Sequence, residues 1–251
     1  MIILNEREYV ENILQEETID PAKTYLILST YARYLYHEKN LKKPQIVCEL
    51  NSFMAAKYPR YNPVDWSALI EKYAGGAGKY PLCECTGVWL TETELNTIGK
   101  LQDKVLERLA FTLLCLAKFR NFRNPENNGW INYSNGEIYT MACINTTAFE
   151  KDRRLNQLME LGLIRFAKRV DSLSIQVLFT DDSGENRLFV SDFRKLGYEW
   201  KVYNGEKYIR CAGCGILTRR QNNHQKYCAH CSELMRNRRQ KNIMRKRRKI
   251  C

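Results

Sequence analysis

Apolar positions recur at helical spacing through most of the amino-terminal three quarters of the chain, interrupted by short alternating stretches. Asp20 is a good N-cap and Pro21 suits the first helical position. Leu26, Leu28, Tyr31, Leu35 and Tyr36 then fall roughly on one face, which predicts a helix running to His37. Two further helices are predicted around Pro44 to Tyr58 and Val64 to Tyr73. The Gly75-Gly76-Ala77-Gly78 run closes a small helical domain over residues 1 to 78.

Tyr80 to Leu90 predicts two short strands turning at Thr86-Gly87. Cys83 and Cys85 within it supply only two thiols and read as packing. Thr91-Glu92-Thr93-Glu94 is a capping box. It opens one long predicted helix through Leu95, Ile98, Leu101, Val105, Leu109, Leu113 and Leu116 to about Arg120, which Pro125 and Asn127-Asn128-Gly129 stop. Trp130-Ile131-Asn132 reads as a strand. Ser134 with Glu137 and Thr147 with Glu150 are two more capping boxes, so two helices are predicted on either side of a tight turn at Cys143 to Thr146. The second helix stops at Gly162. Leu163 to Phe166 and Ser174 to Phe179 are then strands around a polar tip, Lys168 to Ser172.

That order, helix, strand, helix, helix, strand, tip, strand, resembles the winged-helix family over residues 92 to 180, with Leu158-Met-Glu-Leu-Gly-Leu-Ile-Arg165 resembling the end of a recognition helix turning into a wing. The resemblance implies that Thr147, Lys151, Arg154 and Gln157 lie on or near the exposed side of the second helix, where such helices enter the major groove. It also implies that Lys168 and Arg169 are wing residues facing phosphates. Winged helices equally serve as protein interaction modules, and Glu150, Asp152 and Glu160 stand beside these cations.

Between 183 and 207, Leu188 to Val190 and Tyr198 to Tyr203 read as strands. The second is expected to pair with Lys207 to Arg210 across Asn204-Gly205. These strands extend the middle domain, residues 79 to 206. The predicted fold class is α+β, mainly helical, with a third small domain over 207 to 251.

That last domain carries the clearest chemistry. Cys211-Ala-Gly-Cys214 and Cys228-Ala-His-Cys231 are two Cys-x-x-Cys pairs separated by thirteen residues. Each pair can present two thiolates from one tight turn, and four thiolates close a tetrahedral structural Zn2+ site with no open position for substrate. One structural zinc is therefore expected. His224 and His230 are alternative nitrogen ligands, although both cysteine pairs are complete. Gly215 lets the chain turn so that backbone N–H groups face the sulfurs. A knuckle, a hairpin and a Cys pair opening a helix resemble treble-clef zinc fingers over about 208 to 250.

Charge sharpens this division. The 251-residue chain has a formal net charge of +12. Residues 207 to 251 hold fourteen Lys plus Arg and one acidic residue, Glu233, a net of +13. Subtracting from totals of 40 and 28 leaves 26 basic and 27 acidic residues in positions 1 to 206, a net of −1. The excess sits on Arg219, Arg220, Arg236, Arg238, Arg239, Lys241, Arg245, Lys246, Arg247, Arg248 and Lys249, too dense for a neutral surface and suited to a polyanion.

No run approaches the ~20 apolar residues of a spanning helix, and the first residues lack a basic and apolar leader. A cytoplasmic protein (nuclear in a eukaryote) in a reducing compartment, without a membrane partner, is expected. There is no phosphate-cradling glycine loop, His-Glu-x-x-His or Gly-x-Ser-x-Gly, so no catalytic residue is expected. His37 reads as structural, and Asp181, Asp182 and Glu185 as solvated carboxylates. The leading expectation is a non-enzymatic DNA-binding protein, similar in architecture to regulatory and replication-associated proteins of bacteria, phages and mobile elements. A protein partner at the amino-terminal or winged-helix domain accompanies that reading. The alternatives are an RNA-binding or ribonucleoprotein accessory protein, and a nucleic-acid-processing enzyme.

Overall fold

A computed structural model describes residues 2–168 and 174–247, the side chains up to residue 240. The chain divides into two compact units, 1–86 and 87–251. Among the described residues there are ten α-helices and seven short strands, an α+β protein dominated by helix.

The first unit is built from helices α1 (Glu6–Gln15), α2 (Thr24–His37), α3 (Lys43–Lys57) and α4 (Pro63–Gly76). α2, α3 and α4 occupy the three predicted stretches, although Pro21–Lys23 forms a separate 3-10 turn ahead of α2. α1 is an addition. Asn5 caps it by accepting the Glu8 N–H, and only Val10 and Ile13 make its apolar stripe, too few to stand out as a period. Leu28, Ile46, Leu50, Met54 and Ile70, all fully buried, form the core of this unit. Inside it, Arg33 pairs with the nearly buried Glu6 at 2.6 Å, and Glu6 also accepts the Cys83 N–H.

The expected hairpin at Thr86-Gly87 does not form. Glu84 bridges to Asn5 within the first unit. In the second unit, β1 (Val88–Thr91) pairs antiparallel with the distant β5 (Asn186–Val190). Gly87 serves close approach rather than a turn, since a Cβ there would lie 2.6 Å from both Val190 O and Phe189 Cζ.

The single long helix expected from Thr91 is two. The Thr91 and Glu94 capping box opens α5 (Glu92–Gly99), as predicted, but the chain turns at Gln102, whose φ is 52°. Asp103 then caps α6 (Lys104–Arg123), its carboxylate accepting from Val105 N at 2.7 Å and Leu106 N at 3.0 Å. α6 is the buried mast of the second unit, with Leu109 to Ala117 sealed from solvent. Around it lie β2 (Trp130–Asn132), α7 (Asn135–Met141), α8 (Ala148–Glu160), β3 (Ile164–Phe166) and β4 (Ser174–Val177). The three strands form one antiparallel sheet in the order β2-β4-β3.

Tyr198 to Tyr203 is not a strand. It belongs to α9 (Leu196–Tyr203), which buries Leu196, Glu199 and Trp200, a helical rather than alternating set. Asn204-Gly205 is the stop of that helix instead of a hairpin turn. Gly205 has φ +82° and donates to Val202 O at 2.9 Å. Trp200 anchors α9 on α6 through a 3.0 Å bond to Glu107 and a ring contact with Phe111. Gly197 sits so close to Ala142 O that a Cβ would be 1.8 Å away. β6 (Tyr208–Arg210) therefore pairs with β7 (Leu217–Arg219) across the first cysteine pair, and α10 (Ala229–Arg247) follows.

Candidate metal centre and basic helix

The β6–β7 hairpin and the start of α10 bring the two cysteine pairs together. Cys211 and Cys214 occupy the connection between the strands, where Gly215 (φ +73°) donates to Cys211 O at 2.8 Å. Cys228 precedes α10 and Cys231 lies in its first turn. The four Sγ atoms all lie within 4.8 Å of one another. Zinc–thiolate bonds of about 2.3 Å place tetrahedral sulfurs about 3.8 Å apart, the separation that Cys214 and Cys228 have, 3.8 Å. The expected ligand set is therefore assembled, and it is compatible with a structural metal site.

Backbone N–H groups converge on the sulfurs. Gly213 N and Cys228 N donate to Cys211 Sγ at 3.4 and 3.2 Å, and Cys231 N donates to Cys228 Sγ at 3.4 Å. Desolvation opposes ionisation of Cys211, but the donors from Cys228, Gly213 and Cys214 outweigh it and bring this thiol down to about 6. Cys231, hydrogen-bonded to Cys214 and desolvated, is pushed up to about 12. Four thiols this close cannot all ionise without a cation between them. The donor set, four thiolates and no carboxylate, suits a soft tetrahedral ion such as zinc.

The module is seated on α9. Arg210 pairs with the nearly buried Glu199 at 2.8 Å, Tyr208 packs on Tyr198 with ring centroids 4.7 Å apart, and Arg194 reaches the Cys214 carbonyl at 2.9 Å. None of these three contacts belonged to the expected site. An Asp-x-Arg triplet at 192 to 194 and a cation adjoining Cys211 were their faint signals in the sequence.

Arg219, Arg220, Arg236, Arg238 and Arg239 are all exposed. Arg220 bonds the carbonyls of Asn222 and Asn223. Arg236, Arg238 and Arg239 form no ion pair among the described residues, whereas Lys118, Arg153, Arg154 and Arg210 each have an acidic partner. From Ser232 to Gln240 every position of α10 is exposed. The side chains of Lys241, Arg245, Lys246 and Arg247, and the whole of Arg248 and Lys249, lie outside the described residues.

Of the four residues expected on or near the exposed side of α8, Thr147 is exposed and Lys151, Arg154 and Gln157 are half-buried. Thr147 caps the helix by accepting Glu150 N. Lys151 lies half-buried with its ammonium over the Tyr139 ring, 5.6 Å from the centroid. Arg154 is turned inward to Asp103 at 3.3 Å, and Gln157 buries its Oε1 with no hydrogen-bond partner among the described residues. The exposed positions of the cap and helix are Thr147, Ala148, Phe149, Asp152, Arg153, Asn156, Met159 and Glu160. α8 packs its Leu155 and Leu158 stripe inward, which places Lys151 and Arg154 on its flank. Lys168 is exposed at the end of the described stretch that follows β3, and Arg169 lies outside the described residues.

In the acidic stretch at 181 to 185, Asp182 and Glu185 are exposed. Asp181 accepts from Ser183 N and Oγ, and Asp182 pairs with Lys118 at 3.0 Å. His37 faces Tyr80 O at 2.8 Å. Among the described residues, no helix is long and apolar enough to cross a membrane. No protein-family model, curated protein or solved structure matches the chain.

Proposed function

We propose that this chain is a non-enzymatic nucleic-acid-binding protein, with duplex DNA as its preferred partner, whose carboxyl-terminal module holds one structural zinc. The observation that carries the reading is the junction of four converging thiols with a helix whose described cations are exposed and unpaired. Such a helix repels itself in isolation and gains by releasing counterions from a phosphate backbone. The hairpin, knuckle and helix support the treble-clef resemblance. The order α6, β2, α7, α8, β3, β4 with its β2-β4-β3 sheet supports the winged-helix resemblance.

The outward side of α8 favours a second reading for that element alone. It combines Asp152 and Glu160 with exposed Phe149 and Met159, a mixture better suited to a protein partner than to phosphates. In that reading Arg219, Arg220 and α10 supply the affinity for DNA or RNA, and α8 docks a protein in a regulatory or replication-associated assembly.

The test compares the full chain with its R236A/R238A/R239A variant on duplex DNA, single-stranded DNA and RNA over a salt series. Losing three phosphate contacts should lower the slope of log affinity against log salt by roughly 2 to 3 on duplex DNA. An unchanged affinity and slope would remove Arg236, Arg238 and Arg239 from the interface. Tighter binding to RNA than to either DNA would select the ribonucleoprotein reading.

A further inference from the structure

Arg194 lies outside the cysteine module, yet its guanidinium is set against the knuckle. Nη2 donates to Cys214 O at 2.9 Å, and a Cβ on Gly215 would be only 3.5 Å from the same nitrogen. The fork is fixed from behind by Asp192, whose Oδ1 accepts from Nε at 2.9 Å and whose Oδ2 accepts from Nη2 at 2.7 Å. Asp192 also accepts the Arg194 backbone N–H at 2.9 Å, and its side chain is only 14% exposed. The neighbouring Phe193 is buried and packs on Phe119 of α6, with ring centroids 5.7 Å apart, so the Asp192–Arg194 turn is anchored in the body.

The chemistry of the site gives this contact a purpose. A divalent ion with four thiolates carries a formal excess of two negative charges, and its ligands hold their geometry through hydrogen bonds beyond the first shell. Arg194 supplies a permanent cation and a directed donor at one of the two ligand-bearing turns. Its pKa is raised mainly by its bond to Asp192, with Cys214 and Cys211 adding to the effect. Lysine would carry the charge but could not clamp a carboxylate with two nitrogens while reaching the carbonyl with the same rigid fork.

We propose that Arg194, locked by Asp192, is a positioning residue of the metal centre: it orients the Cys211–Cys214 knuckle and offsets thiolate charge, so that metal retention depends on a residue of the helical body. The inference rests on the metal reading above but not on nucleic-acid binding. A consequence is that the zinc module is not self-sufficient.

The experiment measures zinc content of the full-length protein, then zinc release to a chromophoric chelator, for wild type and for R194A, R194K, D192N and K43A. Lys43 pairs with Glu71 at 2.7 Å in the first unit and controls for a generic ion pair. R194A should release zinc on the order of 10-fold faster, with R194K and D192N between it and wild type, and K43A should match wild type. If R194A fails to fold, D192N, which frees the fork without removing it, decides the outcome. Zinc-loaded R194A or D192N releasing metal at the wild-type rate overturns the inference and leaves the metal site standing. Wild-type protein without stoichiometric zinc removes both.

Discussion

Lys118 on α6 donates to both oxygens of Glu94 on α5, at 2.8 and 3.0 Å, with the Glu94 side chain fully buried and that of Lys118 8% exposed. Glu94 also accepts from Thr91 N and Asp181 N, both at 2.7 Å, and Lys118 donates to Asp181 O at 3.0 Å. One buried pair thus ties the start of α5, the middle of α6 and the stretch before β5. Removing one partner of a buried pair leaves an uncompensated charge and typically costs about 3 to 5 kcal/mol. Lys118→Met should therefore destabilise the second unit by an amount in that range. A loss below about 1 kcal/mol by urea denaturation would mean that the pair is not holding these elements.

Two glycines should respond in opposite directions to alanine. Gly197→Ala drives a Cβ to within 1.8 Å of the Ala142 carbonyl, a backbone atom with no side-chain freedom to yield. It should separate α9 from the end of α7 and lower stability by several kcal/mol, on the order of the larger core effects. Gly75 lies inside α4 with only Lys43 Cε near, at 3.8 Å. Gly75→Ala should raise stability by about 0.5 to 1 kcal/mol. Thermal unfolding of the two variants checks both signs.

Thiol reactivity should divide the cysteines by environment. With metal bound, Cys211, Cys214, Cys228 and Cys231 should alkylate slowly, and a chelator should expose them to rapid modification. Cys48 is exposed and should react in either state. Cys115 is sealed in α6, where burial pushes its thiol well above the ordinary range, so it should react only on unfolding. Peptide mapping after timed alkylation reads each site. Equal rates at the four module thiols with and without chelator would count against the metal.

Acid should weaken the start of α6. Burial alone would raise the Asp103 carboxyl, but the N–H groups of Leu106 and Val105 and the Arg154 guanidinium outweigh it and hold it below the usual range. A depressed folded pKa contributes stability that is complete above the unfolded value, about 3.9, and is lost as pH falls through the folded value. Asp103→Ala should be less stable than wild type at pH 6 by about 1 kcal/mol, the usual worth of a cap. The gap should narrow below about pH 4. Denaturation curves that stay parallel down to pH 3 would contradict this assignment.

How much was legible in the sequence depended on how local each cause is. Thr91 with Glu94 and Ser134 with Glu137 close their capping boxes within four residues, and both were readable. The break at Gln102 escaped because Leu101 and Val105 continue the helical period across it, although Asp103 was a cap in plain view. Tyr198-Glu-Trp-Lys-Val-Tyr alternates well enough to imitate a strand, and only its packing on Phe111 and Glu107 selects the helix. The pairing of Trp89 with Phe189 spans far too much chain for any local signal. At the site, Cys-x-x-Cys spacing reported the four converging thiols directly. The contact of Arg194 with the Cys214 carbonyl had only the faint signal of the triplet at 192 to 194, because it depends on where the fold sets that turn against the knuckle.

Cys228 does two jobs at the root of α10. Its sulfur accepts the Cys231 N–H at 3.4 Å and its carbonyl accepts the Ser232 N–H at 2.9 Å, so it also closes the first turn of the helix. The run from Ser232 to Gln240 is exposed at every position, so burial contributes little to helix there. Starting a helix is the unfavourable step, with an initiation factor of about 10⁻³. A metal bridging Cys228 and Cys231 would hold that starting turn in place, and an ionised sulfur there would face the positive end of the helix dipole. Metal loading would then act as a template for helix initiation, and its loss would dissolve the regular 1.5 Å rise that spaces the arginines along the axis.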